Sequence, residues 1–332
     1  MPNHAVKKER VQELDWIKGM LVVFMVVYHS LNYSPYPRMA FQLLAFLPPS
    51  FIFITGFLIS NSYLSRYGAD DTRLYLRLIV RGAKLILLFT VLNLVILSLG
   101  LQRNVVIADF ADFVSHWREL YLVKEGRMAS YYILVPIGYL LLLAPVLLKA
   151  YRISKRLLVA LATLSALSAI VLEFRGELPY QWSMVSVGII GMAFGLLPFS
   201  TVRAWGGKWG IIVPAYVIYR ICSYTMGEPY WIQLFGVLAT LMLLFCIAQA
   251  LRQQAWTFQQ CVVLGKYSLF GYIFQLAALQ VIARLARPIG GVESVFVMVL
   301  VTLCATWAAT RALEKLRSTA SYFDLSYRIV FT

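Results

Sequence analysis

The sequence predicts an all-α polytopic integral membrane protein, a bundle of about ten transmembrane helices with both termini in the cytoplasm. Three observations carry that prediction. Of 332 residues, 61% are hydrophobic and only 14% charged, with a mean hydropathy of +0.74, whereas a soluble chain runs at ~45 to 50% apolar and ~25% charged. The apolar residues fall into stretches of about 20, the length that a bilayer demands of a helix. Lys+Arg outnumber Asp+Glu by 30 to 15, and the excess sits on alternate connections, which sets orientation by the positive-inside rule. In a soluble protein a net charge of +15 would point to nucleic acid; here its distribution assigns it to topology, and no nucleic-acid partner is expected.

In chain order the expected spans cover roughly residues 15–33, 40–62, 83–102, 129–149, 157–173, 184–199, 210–226, 231–250, 267–286 and 294–311. The first follows Lys7, Lys8 and Arg10 as a signal peptide would, but no small-residue cleavage site closes it, so it reads as a retained helix. The second contains a Pro48-Pro49 break, and the third is entered through Arg73, Arg77, Arg81 and Lys84. An outer segment, 103–128, carries Asp109, Asp112, His116, Trp117, Arg118 and Glu119 and is expected to form a short surface helix. The fourth span opens on Tyr131 and Tyr132, and a second outer loop offers Glu173, Arg175, Glu177, Tyr180 and Trp182. Aromatics among carboxylates suit sugar rings, and they equally suit an interface belt. Residues 312–332 are expected as a cytoplasmic tail. The whole chain, 1–332, reads as one membrane domain without internal repeats or an appended soluble domain.

With the N-terminus inside, the inner segments collect the runs from Arg66 to Lys84, Lys149 to Arg156 and Arg311 to Arg328. The outer segments hold only Arg38, Arg103, Arg118, Lys124, Arg127, Arg175, Arg284 and Arg287. The four cysteines, Cys222, Cys246, Cys261 and Cys304, show neither metal-type spacing nor a disulfide framework and read as packing residues. No metal is expected.

Ionisable groups at membrane depth are costly and therefore functional candidates. His29 follows Lys18 by eleven residues, and eleven steps of ~100° return to within ~20° of the start, so the two share one helix face about 16 Å apart. Asp15 lies on nearly the same stripe and can pair with Lys18. A neutral imidazole can take a proton from a hydroxyl as it attacks a carbonyl, which suits acyl transfer; a histidine hydrogen-bonded to a neighbouring helix answers to the same position. Arg73, Arg77, Arg81 and Lys84, at offsets of four, four and three, stack down one side of a helix. Such a stripe can hold the phosphates of a nucleotide-like donor, or serve topology and anionic lipid. Arg220, inside the seventh span, can orient an acceptor, stabilise an oxyanion or pair with Glu228. Tyr131 and Glu173 are candidate acceptor contacts on the outer side, Tyr131 equally an interface anchor.

These residues resemble the membrane acyltransferase-3 family. ELDWIKGMLVVFMVVYHS resembles its first-span signature of a basic residue, ten residues and a histidine, met by Lys18 and His29. PSFIFITGFLIS is similar to its second span, RGAK from Arg81 to Lys84 to its Arg-X-X-Arg motif, SYYILVPIGYLLLLAPVLL to a later span, and LGKYSLFGYIFQ to its penultimate-span element. That element usually closes on His, where this chain has Gln275. The resemblance implies ten spans in a bacterial cytoplasmic membrane, and transfer of an acyl group, most often acetyl, from acyl-CoA to a hydroxyl of a surface polysaccharide or lipid-linked sugar. Together with the basic stripe and the Asp15–Lys18 pairing, it makes His29 and Lys18 the expected catalytic pair and Arg77, Arg81, Lys84 and Asp15 the expected donor-binding set. Polysaccharide-assembly machinery would be the partner. Two other classes stay open on the residues alone: a secondary transporter or flippase for a saccharide, which usually shows paired broken helices, and an inactive membrane subunit.

Overall fold

The computed structural model describes residues 11–31, 42–68, 71–100, 107, 109–123, 129–253, 255–285 and 292–331. Among these the chain is helical and contains no strand. Seven helices are long and apolar enough to cross a membrane: Gln12–Leu31, Gln42–Tyr67, Thr72–Ser98, Leu134–Ile153, Lys155–Phe174, Tyr230–Leu251 and Val295–Thr319. Two bent pairs raise the number to nine if each is one span: Tyr180–Phe194 with Phe199–Trp205 at 101°, and Trp256–Lys266 with Ser268–Ile282 at 84°. The remaining expected span is a helix, Trp209–Met226, whose apolar run is diluted by Arg220, Tyr216, Tyr219 and Tyr224.

Two compact units share the chain. The first comprises residues 48–207 and 229–237, the second residues 11–47, 208–228 and 238–332. In the first, α2 (Leu47–Leu58) starts at Pro48 and Pro49. The expected break is thus a helix start, where a proline's missing N–H costs nothing. A π-helical turn, Ile59–Tyr63, joins α2 to α3 (Leu64–Tyr67); the Leu64 N–H reaches back to the Ile59 carbonyl, five residues earlier. Asp71 caps α4 (Thr72–Ser98) by accepting the Arg73 N–H at 2.8 Å. The segment before α6 supplies α5 (Phe110–Ser115), capped by Asp109, and its Phe113 forms a small core with Ile107 and Leu120. Ser154 alone separates α6 (Leu134–Ile153) from α7 (Lys155–Phe174), ending the one and capping the other. Then come α8 (Tyr180–Phe194) and α9 (Phe199–Trp205). Without a hydrophobic drive between helices in lipid, close approach through small residues holds such a bundle together. A Cβ on Gly56 of α2 would overlap the Gly188 carbonyl of α8, and one on Gly82 of α4 would lie 2.8 Å from the Gly138 carbonyl of α6.

The second unit contains α1 (Gln12–Leu31) and α10 (Trp209–Met226). It also holds the end of α11 (Tyr230–Leu251), α12 (Ala255–Lys266), α13 (Ser268–Leu285), α14 (Val292–Thr319) and α15 (Ser321–Phe331). Within 251–266, expected as a connection, Ala255–Lys266 forms a helix laid against α1. Gly19 faces the Cys261 carbonyl, Gly265 faces the Asp15 carbonyl, and any Cβ there would overlap backbone. Trp16 stacks on Phe258 with ring centroids 6.3 Å apart. The tail expected at 312–332 is helical too, as α14 continues to Thr319 and α15 comes after it.

Candidate active site

The first turn of α1 buries two carboxylates, where the helix dipole favours negative charge. Asp15 is 4% and Glu13 2% exposed. Asp15 accepts an ion pair from Lys18 at 2.7 Å, and Glu13 one from Arg252 at 3.2 Å. The pair expected between Asp15 and Lys18 therefore forms, and it leaves the basic side chain of the motif largely buried.

His29 ends the same helix. Its Nε2 is buried and, among the described residues, has no hydrogen-bond partner. The ring lies edge-on to Tyr28 at 5.1 Å and tilted against Tyr272 of α13 at 6.5 Å. An imidazole nitrogen that no neighbour engages keeps its capacity to accept a proton from an incoming hydroxyl. Other buried polar atoms without a described partner lie on α1 and the helices packed with it: Ser30 Oγ on α1, both amide atoms of Gln275 on α13, and the hydroxyls of Thr302 and Thr306 on α14. In the sequence Gln275 stands out only as a departure from a motif, and Tyr272, three residues before it, only as that motif's tyrosine, with no contact to His29 implied.

In the first unit the basic stripe runs along α4. Arg77 donates to the Tyr67 hydroxyl and sits 5.0 Å from that ring's centroid, while Arg81 donates to the Tyr63 hydroxyl at 2.6 Å. Tyr63 closes the π-helical turn, whose inserted residue shifts the helical register of α3 relative to α2. Asn61, in the same turn, donates to the Gly195 and Leu197 carbonyls at 3.3 and 3.2 Å and pins the turn to the end of α8. Among the described residues no carboxylate pairs with Arg77, Arg81 or Lys84, and the Arg81 Nε has no partner. Forked guanidinium donors and an ammonium with no carboxylate beside them suit phosphate oxygens.

The acceptor candidates are differently occupied. Both oxygens of Glu173 accept the Tyr230 N–H, at 2.8 and 2.9 Å, capping α11. Tyr131 is 3% exposed and holds a left-handed φ of 59°, a strained conformation for a bulky residue. Arg220 donates to the Gln42 and Leu43 carbonyls at 3.0 and 3.4 Å rather than forming an ion pair with Glu228. Glu228 instead accepts from Ser223 and, at 3.3 Å, from Tyr219. Burial pushes its carboxyl above the usual carboxylate range, opposed by the hydrogen bonds from Ser223 and Tyr219 and by the Arg220 charge.

A family model described as an acyltransferase domain, that of the acyltransferase-3 family, matches residues 11–311, nearly the whole chain. No curated protein and no solved structure matches the sequence.

Proposed function

The chain belongs to the membrane acyltransferase-3 family, and from that premise we propose that it moves an acetyl or other short acyl group from acyl-CoA to a hydroxyl of a surface polysaccharide or its lipid-linked precursor. The observation that carries this reading is the buried, unengaged Nε2 of His29 on the first span. That nitrogen takes the acceptor's hydroxyl proton as the oxygen attacks the thioester carbonyl. The carbon–sulfur bond breaks, the CoA thiolate leaves and is protonated, and the acceptor carries the new ester. A positioned base of this kind commonly supplies ~10² to 10⁴ in rate.

Arg77, Arg81 and Lys84 hold the donor's phosphates in this reading. Lys18, with Asp15 as its counter-ion, serves the reaction from the helix that bears His29. Of the acceptor candidates, Arg220 keeps a partly accessible guanidinium, whereas Glu173 and Tyr131 are engaged in capping and burial and support the acceptor side through structure. The protein works in a bacterial cytoplasmic membrane with both termini inside, beside the polysaccharide-assembly machinery.

The test compares ester-linked acyl groups on the host's surface polysaccharide, by NMR before and after mild base, in wild type, a deletion strain and an equally expressed His29→Ala strain. Loss of one acyl signal in both mutants is expected. An unchanged pattern in the His29→Ala strain would overturn the role of His29. The two bent helix pairs favour one second reading, passage of a saccharide across the membrane, since broken spans are common in transporters. An unchanged acyl pattern with less polymer exported would select it.

A further inference from the structure

Beyond residue 311, where the family match ends, the chain builds one more element, α15. Its inner face is fastened to the bend between α12 and α13. Arg317, near the end of α14, lies 4.0 Å over the Tyr327 ring and 5.3 Å from the Tyr267 ring at the bend, and it also donates to Asp324. Tyr267 meets Tyr327 edge-on at 5.5 Å, and Phe331 meets Phe270 at 6.0 Å. Arg328 pairs with Asp324 at 2.6 Å. The Arg317 guanidinium, hydrogen-bonded to Asp324, holds that carboxyl below the usual carboxylate range, so the fastening is charged at neutral pH.

The outer face is apolar. Tyr322, Leu325 and Ile329 are 73%, 57% and 59% exposed, and Phe323 and Val330 lie beside them, also exposed. The positions 322, 325 and 329 make one helical stripe. Arg328, paired with Asp324, is exposed on α15, and Lys315 is exposed near the end of α14, six residues before α15 begins. The stripe begins six residues after Leu316, the last exposed apolar residue of a helix whose Phe296, Leu300 and Trp307 are likewise exposed.

We propose that α15 is a membrane-interface helix: it lies on the lipid surface with Tyr322, Leu325 and Ile329 at the boundary of headgroups and acyl chains, and with Lys315 and Arg328 toward anionic headgroups. A helix with one apolar face and basic residues on the polar side is what that boundary binds. A second copy of the chain is the weaker fit. Eleven residues span about 16 Å, and one face about 10 Å wide offers far less than the ~800 Å² per partner of a stable protein interface.

The experiment uses the full chain, with its native cysteines replaced by serine, in nanodiscs of phosphatidylglycerol and phosphatidylcholine. An environment-sensitive NBD probe is placed at Leu325→Cys, at Ile329→Cys on the same stripe, and at Ser321→Cys on the polar flank. The expected result is blue-shifted emission at Leu325 and Ile329, quenched several-fold more by acyl-chain nitroxide lipids than emission at Ser321. Equal quenching at all three positions would overturn the proposal, as would emission at Leu325 and Ile329 that only aqueous iodide quenches. A blue shift insensitive to nitroxide lipid but dependent on protein concentration would replace lipid by a second copy.

Discussion

The chain treats basic residues in opposite ways at α1 and at α4. In α1 every buried carboxylate has a cation: Lys18 stands 2.7 Å from Asp15, and Arg252 3.2 Å from Glu13. In α4, Arg77 and Arg81 lean on tyrosine hydroxyls, and among the described residues no carboxylate pairs with them or with Lys84. The contrast separates two jobs. A paired charge makes the start of a span compatible with its surroundings, and removing one partner of such a pair leaves the other stranded. A cation without a described acid beside it is what the proposed donor-phosphate site requires. His29 likewise has no described partner at its Nε2, but in the proposed reaction that nitrogen accepts a proton rather than holding an anion.

Four single substitutions and one double test that contrast, from the largest effect down. His29→Ala should lower acyl transfer by ~10² to 10⁴ while membrane yield and thermal stability in detergent stay at wild-type levels. Lys18→Met should take the 2.7 Å ion pair from a buried Asp15 and lower stability, by at most about 3 to 5 kcal/mol. The double variant Asp15→Asn with Lys18→Met should recover most of that loss, and its KM for acyl-CoA would then report whether Lys18 also serves the donor. Arg81→Ala should raise the KM for acyl-CoA by roughly tenfold, the worth of one charge-assisted hydrogen bond, and leave stability nearly unchanged. An equal loss of stability in Arg81→Ala and Lys18→Met would erase the distinction between the two helices. Glu173→Ala should cost about 1 kcal/mol, as loss of a helix cap does, with the acceptor KM unchanged; a raised acceptor KM would make Glu173 a substrate contact after all.

A pH titration sharpens the same contrast at the C-terminal end. Asp324 has its folded pKa depressed, chiefly by the Arg317 hydrogen bond. The stability it contributes is therefore present above the unfolded carboxylate value and is lost as pH falls through the lowered folded value. Hydrogen exchange of α15 should stay slow at neutral pH and rise only below the ordinary aspartate range; a rise near neutrality would contradict the assignment.

Much of the fold was legible because hydropathy writes it directly: α1, α4, α6, α7, α11 and α14 all coincide with apolar runs. The bends were not. The run 184–199 reads as one span, yet α8 stops at Phe194 and α9 restarts after Pro198. Gly195 and Pro198 are the stop signals that a hydropathy window averages away. Residues 251–266 read as a connection because the helix Ala255–Lys266 within them is held by contacts at Cys261 and Gly265 rather than by a long apolar face. The site divides in the same way. The Lys18 to His29 spacing and the offsets within 73–84 are periodicities of a single helix, and they place those residues correctly on α1 and α4. The tyrosines that engage Arg77 and Arg81 depend on a π-helical turn, and the capping by Glu173 joins residues 57 positions apart; neither leaves a mark in local spacing.

The most direct test of the central claim measures CoA thiol release from acetyl-CoA by purified protein in proteoliposomes, with and without a polysaccharide acceptor, for wild type and His29→Ala at matched folded fraction. The account predicts acceptor-dependent release by wild type and its near-complete loss in His29→Ala. Equal acceptor-dependent release by both would contradict it.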